Sequence, residues 1–158
     1  MAPSSTYDLA LKLLAFRARS VAELRRQLLR KGRELDEVED TIIRLRDQRL
    51  LDDAEFALAF VRGRLLGPGS SRLRIIQELA RKGVSRDDAE RAIAELQQME
   101  GVDPSATIHR IAEKKWRALA SLDEFTRRRR LYSFLARRGF NPEEIRSALA
   151  QLGEEITL

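Results

Sequence analysis

The sequence predicts an all-α fold made of three tandem three-helix repeats, about nine helices in an elongated, curved array. Three observations carry that prediction. A five-residue phrase recurs as LLRKG at 28–32, LARKG at 79–83 and LARRG at 135–139. Ahead of each copy, apolar residues stand at i, i+4 spacing: Leu24/Leu28, Ile75/Leu79 and Leu131/Leu135, with Phe134 widening the third stripe. Leu, Ala, Arg and Glu dominate while Val, Ile and aromatic residues are sparse, a composition that favours helix over sheet.

With Gly32, Gly83 and Gly139 in register, the surrounding segments align without a gap. Ten residues after the glycine come Ile42, Ile93 and Leu149; thirteen after come Leu45, Leu96 and Leu152. Four and five after it stand acids in every copy: Asp36-Glu37, Asp87-Asp88 and Glu143-Glu144. The expected units are 1–50, 51–101 and 102–158, the last with a short tail after Gly153. Each is too small to bury a core comfortably alone.

Taken in order, the helices are expected over 7–18, 20–31, 36–48, 52–66, 71–82, 86–99, 104–119, 122–138 and 142–152. Ser20 before Glu23, Asp52 before Glu55, Ser85 before Asp88 and Ser121 before Glu124 each read as an N-cap with an acid at N3. Asp103-Pro104 and Asn141-Pro142 add cap-then-proline starts, because proline loses nothing at the first helical position. GPGSS at 67–71 is the one loop of note.

Several function classes fall away. No apolar run approaches the roughly 20 residues that span a bilayer, and MAPSSTYDLALKLLAF lacks a basic segment followed by an unbroken apolar stretch, so no secretory signal is expected. Cysteine is absent, which removes disulfides and thiolate metal sites. The lone His109 cannot by itself make a zinc site or a histidine-based triad. Asp52-Asp53 could suggest a carboxylate pair for a metal, but helix capping by Asp52 accounts for it. GPGSSR at 67–72 lacks the lysine and spacing of a phosphate loop and reads as a linker with a Ser cap, although Arg72 could meet a phosphate. A cytoplasmic, monomeric, non-enzymatic protein without cofactor, metal or membrane contact is the expectation.

The charge is more informative. The chain carries 30 Lys and Arg against 25 Asp and Glu, a net +5, which suits contact with a polyanion or an acidic protein surface. Residues 103–158 hold eleven basic residues against eight acids, while 67–102 balance at six each. The pairs Arg30-Lys31, Arg81-Lys82 and Arg137-Arg138 sit where a helix dipole favours cations, ahead of a C′ glycine. That is a complete structural explanation. Alongside it stands a second one: in a regular array the three pairs form a spaced basic stripe suited to a repetitive partner. In TRRRRLYSFLARRGF at 126–140, Arg129, Arg130 and Arg137 fall opposite the buried stripe, with Arg127 and Arg128 nearer the flank.

Two other motifs point toward nucleic acid and are weaker. QELARKGVSRDDAERAI at 77–93 has a helix-turn-helix shape, yet Asp87, Asp88 and Glu90 place carboxylates where base edges and phosphates would be met. KKWRAL at 114–119 mixes cations with the only Trp, but Trp116 shares helical spacing with Ile108, Ala112 and Leu119 and reads as core.

The combination resembles the RecX family of bacterial recombination regulators. ALKLLAFRARSVAELRRQLLRKG is similar to its opening repeat, and RLRDQRLLDDAEFALAFV at 44–61 to its Leu-Asp-Asp…Phe-Ala signature. RIIQELARKGV and FLARRGFNPEEI fit its second and third repeats, so the resemblance covers about residues 8–152. It implies a non-enzymatic modulator of the RecA recombinase, built from three three-helix repeats. Such a protein lies along the groove of the RecA–DNA filament, bridges protomers, limits filament extension, and thereby lowers ATPase, strand-exchange and co-protease activity. The resemblance also implies weak affinity for single- and double-stranded DNA without strong sequence preference. Charge and periodicity in this chain select Arg30, Lys31, Arg72, Arg81, Lys82, Arg129, Arg130, Arg137 and Arg138 as the contact residues. The alternative is a direct, sequence-tolerant DNA-binding protein that competes with RecA for DNA.

Overall fold

The computed structural model of the chain describes residues 2–67, 69–101 and 103–155, and among them every regular element is an α-helix. In order these are α1 (Thr6–Phe16), α2 (Val21–Arg30), α3 (Leu35–Asp47), α4 (Asp53–Leu66), α5 (Arg72–Arg81), α6 (Arg86–Glu100), α7 (Pro104–Ala118), α8 (Glu124–Arg137) and α9 (Pro142–Glu155). Each boundary falls within three residues of its expected place. Pro68 in the expected loop and residues 156–158 of the expected tail lie outside the described residues.

Local chemistry sets most starts. Ser20 and Glu23 form a reciprocal capping box at α2, as do Ser5 and Asp8 at α1. Asp52, Ser71 and Ser85 cap α4, α5 and α6, and Asn141 exchanges hydrogen bonds with Glu144 at the head of α9. One expected start is corrected. α8 begins after Asp123, whose carboxylate accepts from the Thr126 amide, and Ser121 lies in the preceding turn. A carboxylate both satisfies a free amide and meets the positive end of the dipole, which a serine hydroxyl does less strongly.

The helices gather into three successive cores. Ala10, Leu24, Leu28, Val38, Ile42, Leu45 and Leu51 form the first. Val61, Leu65, Ile75, Leu79, Ile93 and Leu96 anchor the second. Ile108, Ile111, Trp116, Leu131, Leu135, Phe140, Ile145 and Leu152 anchor the third. Every apolar register position named above is buried except Phe134 and Leu149, which are half-buried. The chain exposes 10123 Å², about a quarter more than the ~8,100 Å² expected of a compact 18.1 kDa protein. Three small cores in a row account for the excess.

The repeats are coupled by a joint that occurs twice. In the first, Ser20 is buried and its hydroxyl donates to the Lys82 carbonyl while accepting from the Glu23 amide. Gly83, at φ +80°, sits so close that a Cβ there would lie 2.2 Å from the Ala22 methyl. The Lys82 ammonium reaches Glu23 at 3.2 Å, and Asp53 accepts from the Val21 amide at 2.8 Å. In the second joint the Ser71 amide donates to the Arg138 carbonyl at 3.4 Å, and the Arg74 guanidinium donates to the Arg137 carbonyl. Gly139, at φ +92°, would place a Cβ 2.7 Å from Ser71 Oγ. Thus the glycine-ended turn of each later repeat seats on the serine-capped head of the preceding repeat's second helix. Gly32 has the same left-handed backbone but nothing within 4 Å of its would-be Cβ.

The third repeat does not offer this seat again. Ser20 and Ser71 stand twelve residues before Gly32 and Gly83; twelve before Gly139 stands Arg127. There α8 runs a turn further toward its N-terminus. Arg127 donates to the Trp116 carbonyl at 2.9 Å and lies over the Trp116 ring at 3.7 Å.

The first joint titrates. Burial works to raise the Glu23 carboxyl, whose side chain is 12% exposed, but hydrogen bonds from Arg17, Lys82 and the Ser20 amide together hold it below its ordinary 4.5. An unfolded chain therefore takes up this proton more readily than the folded one, and stability from Glu23 is complete above 4.5 and lost as pH falls through the lower folded value. Asp53 works the other way: burial, with repulsion from Asp88, raises its carboxyl above the ordinary 3.8 despite the Val21 hydrogen bond. Its protonation on acidification favours the folded state. Glu23→Gln should lower the melting temperature at pH 7 and flatten the decline below pH 4.5. Identical melting curves for variant and parent across that range would show that Glu23 does not hold the joint.

Candidate partner interface

The nine basic residues singled out by sequence occupy three kinds of place. Arg30 and Lys31, at the end of α2, are exposed and in no ion pair among the described residues. Arg81, Arg129, Arg130 and Arg137 are likewise exposed, and their side chains have no ion pair among the described residues. Lys82 and Arg138 are half-buried in the joints: Lys82 on Glu23, Arg138 donating to the Gly69 carbonyl at 3.2 Å and lying over the Phe134 ring at 4.8 Å. Arg72 stands at the other end of α5 from Arg81, 3.7 Å from Glu90.

The exposed cations of the second and third repeats are brought together. Arg74, Gln77 and Arg81 of α5 and Ala136 and Arg137 of α8 line one groove across the second joint. The acid in that groove, Glu78, is already neutralised by Arg64 at 2.9 Å and Arg74 at 3.1 Å. Arg137 also lines the adjoining groove, with Lys115, Leu119, Arg129, Arg130 and Ser133. A continuous cationic surface therefore runs from the end of α5, over α8, to the end of α7. The four cations of the second groove, Lys115, Arg129, Arg130 and Arg137, make no ion pair among the described residues, so their charge is available to a phosphate or carboxylate.

The arginine run divides as its helical phase requires. Arg129 and Arg130 face outward; Arg127 seals the end of α7, and Arg128 pairs with Glu124 at 3.0 Å. Lys115 was not singled out by sequence, because its partner surface comes from a different helix. Its ammonium lies 4.8 Å from the centre of the Phe134 ring, and the residue lines the groove.

The remaining motifs are structural where the structure describes them. Trp116 packs in the third core. Asp52 caps α4 and Asp53 holds the joint, and no group of three His, Asp or Glu side chains able to hold a metal occurs among the described residues. His109, on α7, lines a small pocket with Ala148 and Leu152 of α9. The Leu-Asp-Asp…Phe-Ala stretch links the first two repeats: Leu51 belongs to the first core, Asp52 caps α4, Asp53 holds the joint, and Ala57 enters the second core with Phe56 and Phe60 against it. No helix among the described residues is long and apolar enough to cross a membrane.

Fold and surface together define a tandem helical-repeat protein with one continuous cationic face. Comparison with known proteins places it further. Residues 7–45, 52–93 and 103–149 match, in that order, the family descriptions "RecX, first three-helix domain", "RecX, second three-helix domain" and "RecX, third three-helix domain". The chain belongs to the RecX family of regulatory proteins. It is 43% identical over 143 residues to the regulatory protein RecX of Pelodictyon phaeoclathratiforme, covering 90% of this chain and 86% of that one. It is 36% identical over 156 residues to that of Amycolatopsis mediterranei, covering 96% and 87%. The crystal structure of RecX from Lactobacillus salivarius superposes with a TM-score of 0.75 at 21% identity, covering 94% of both chains, which shows the shared fold.

Proposed function

We propose that this chain regulates homologous recombination by lying along the groove of the RecA–DNA filament and limiting RecA activity: filament extension, ATPase, strand exchange and co-protease function. The observation that carries the reading is the cationic surface of Arg81, Arg137, Arg129, Arg130 and Lys115, in no ion pair among the described residues, on an array whose repeats are joined twice in the same way. A filament presents identical sites at a fixed rise. A rigid array can meet several of them at once, and weak contacts then act at high effective concentration. Arg30 and Lys31 extend the contact surface onto the first repeat; Lys82 and Arg138 act through the joints, fixing the spacing of the others. Units 1–50, 51–101 and 102–158 are the proposed repeat boundaries, and the chain acts as a cytoplasmic monomer.

The alternative, direct competition for DNA, draws on the same cations, so the two are separated by salt. A protein held mainly by phosphate contacts loses affinity steeply as salt rises. The filament reading expects retention on a preformed RecA–DNA filament at salt that removes the chain from naked DNA. Parallel release from both would make it a DNA competitor.

A further inference from the structure

Phe125 is a large aromatic side chain that the core does not use: it is 76% exposed. It is out of phase with Leu131 and Leu135, which face the third core, and it stands one turn ahead of Arg129 in a row that continues through Ser133 to Arg137. Three of those four positions, Arg129, Ser133 and Arg137, line the cationic groove together with Arg130, Lys115 and Leu119, and Phe125 stands one turn beyond them. The row from Phe125 to Arg137 measures about 18 Å along the helix, enough for several phosphates of one strand. The other aromatic side chains nearby are committed. Trp116 is buried beneath Arg127, and Phe134 lies between Lys115 and Arg138.

We propose that Phe125 makes this groove of the third repeat select an unpaired nucleic-acid strand over a duplex, one base stacking on its ring while successive phosphates lie on Arg129, Arg130, Lys115 and Arg137. An exposed aromatic side chain one turn from a cationic groove suits a single strand, because each unpaired base has an open face to offer while the charges hold its backbone. A duplex would satisfy the cations equally but keeps its base faces stacked on one another, so Phe125 would contribute nothing to binding it. Ser133 adds a hydroxyl that donates to a phosphate, and Leu119 adds an apolar surface for the sugar. The site reads no sequence, since stacking and charge are common to all bases. This deepens the reading of the cationic face given above, and rests on that face meeting nucleic acid.

The test uses the full chain and fluorescent oligothymidylate of about 15 nucleotides, the same length with abasic sites, and a duplex of equal length. Phe125→Ala should weaken binding of the intact strand roughly tenfold, leave duplex and abasic affinities unchanged, and leave the salt slope unchanged; Phe125→Trp should restore binding. Equal loss on strand and duplex, or no loss on either, overturns the proposal. Should Phe125→Ala weaken binding to the RecA–DNA filament while single-strand affinity is unchanged, Phe125 meets protein; the proposal then fails and the filament reading stands.

Discussion

Gly83→Val is expected to destabilise the protein by about 3 kcal/mol or more, while Gly32→Val costs about half as much. Both glycines hold nearly the same left-handed backbone, φ +80° and +81°. Any side chain there costs about 1–2 kcal/mol for the backbone alone. The difference lies in what surrounds them. A Cβ on Gly83 would meet the Ala22 methyl at 2.2 Å, whereas Gly32 faces open space. Forcing the joint apart adds an overpacking cost of about 1–3 kcal/mol. In thermal unfolding this is a fall of roughly 8–10 °C at Gly83 against about 3–5 °C at Gly32. Ala22→Gly should rescue part of the Gly83→Ala loss, so that the double variant is more stable than the two single costs predict by about 1 kcal/mol. Equal losses at Gly32 and Gly83 would mean that the repeats do not seat on one another here.

Reversing Arg129, Arg130 and Arg137 together to glutamate should weaken binding to the RecA–DNA filament on the order of 100-fold, at about 1 kcal/mol for each cation near an anionic surface. Stability should hardly change. The three side chains are exposed and in no ion pair among the described residues, and surface substitutions of that kind stay within about 0.5 kcal/mol each. Replacing them by alanine instead should flatten the salt dependence of single-strand binding by about 2 in log–log slope. If filament binding survives reversal with helicity and melting unchanged, the third-repeat patch is only a solvated face.

Most of the fold was legible because its signals are local. Leu24, Leu28 and their counterparts state the buried stripe by spacing, and capping residues state the starts. Ser121 misled because Asp123, two residues on, is the stronger cap. The joints were not legible: nothing in LARKG says that the glycine carries no side chain because Ala22 of another repeat lies against it. Charge and phase were enough to put Arg129, Arg130 and Arg137 on the surface. They could not show that Lys82 and Arg138 are engaged in joints, or that Lys115 faces the same groove, since those facts depend on which helices meet. Phe125 carried a signal that could have been read, an apolar residue out of phase with its own helix's core stripe. The glycine-ended phrase repeats for two reasons: a C′ glycine ends each helix, and in the second and third copies that turn rests on the serine-capped head of the preceding repeat.

The most direct test of the account is the single-stranded-DNA-dependent ATPase of RecA, titrated with this protein at near-physiological salt with DNA in excess and a parallel binding curve on DNA alone. Inhibition is expected well below one molecule per RecA, at concentrations where naked DNA is largely unbound. Inhibition that begins only as the DNA becomes saturated would contradict it and make the cationic face a means of competing for DNA.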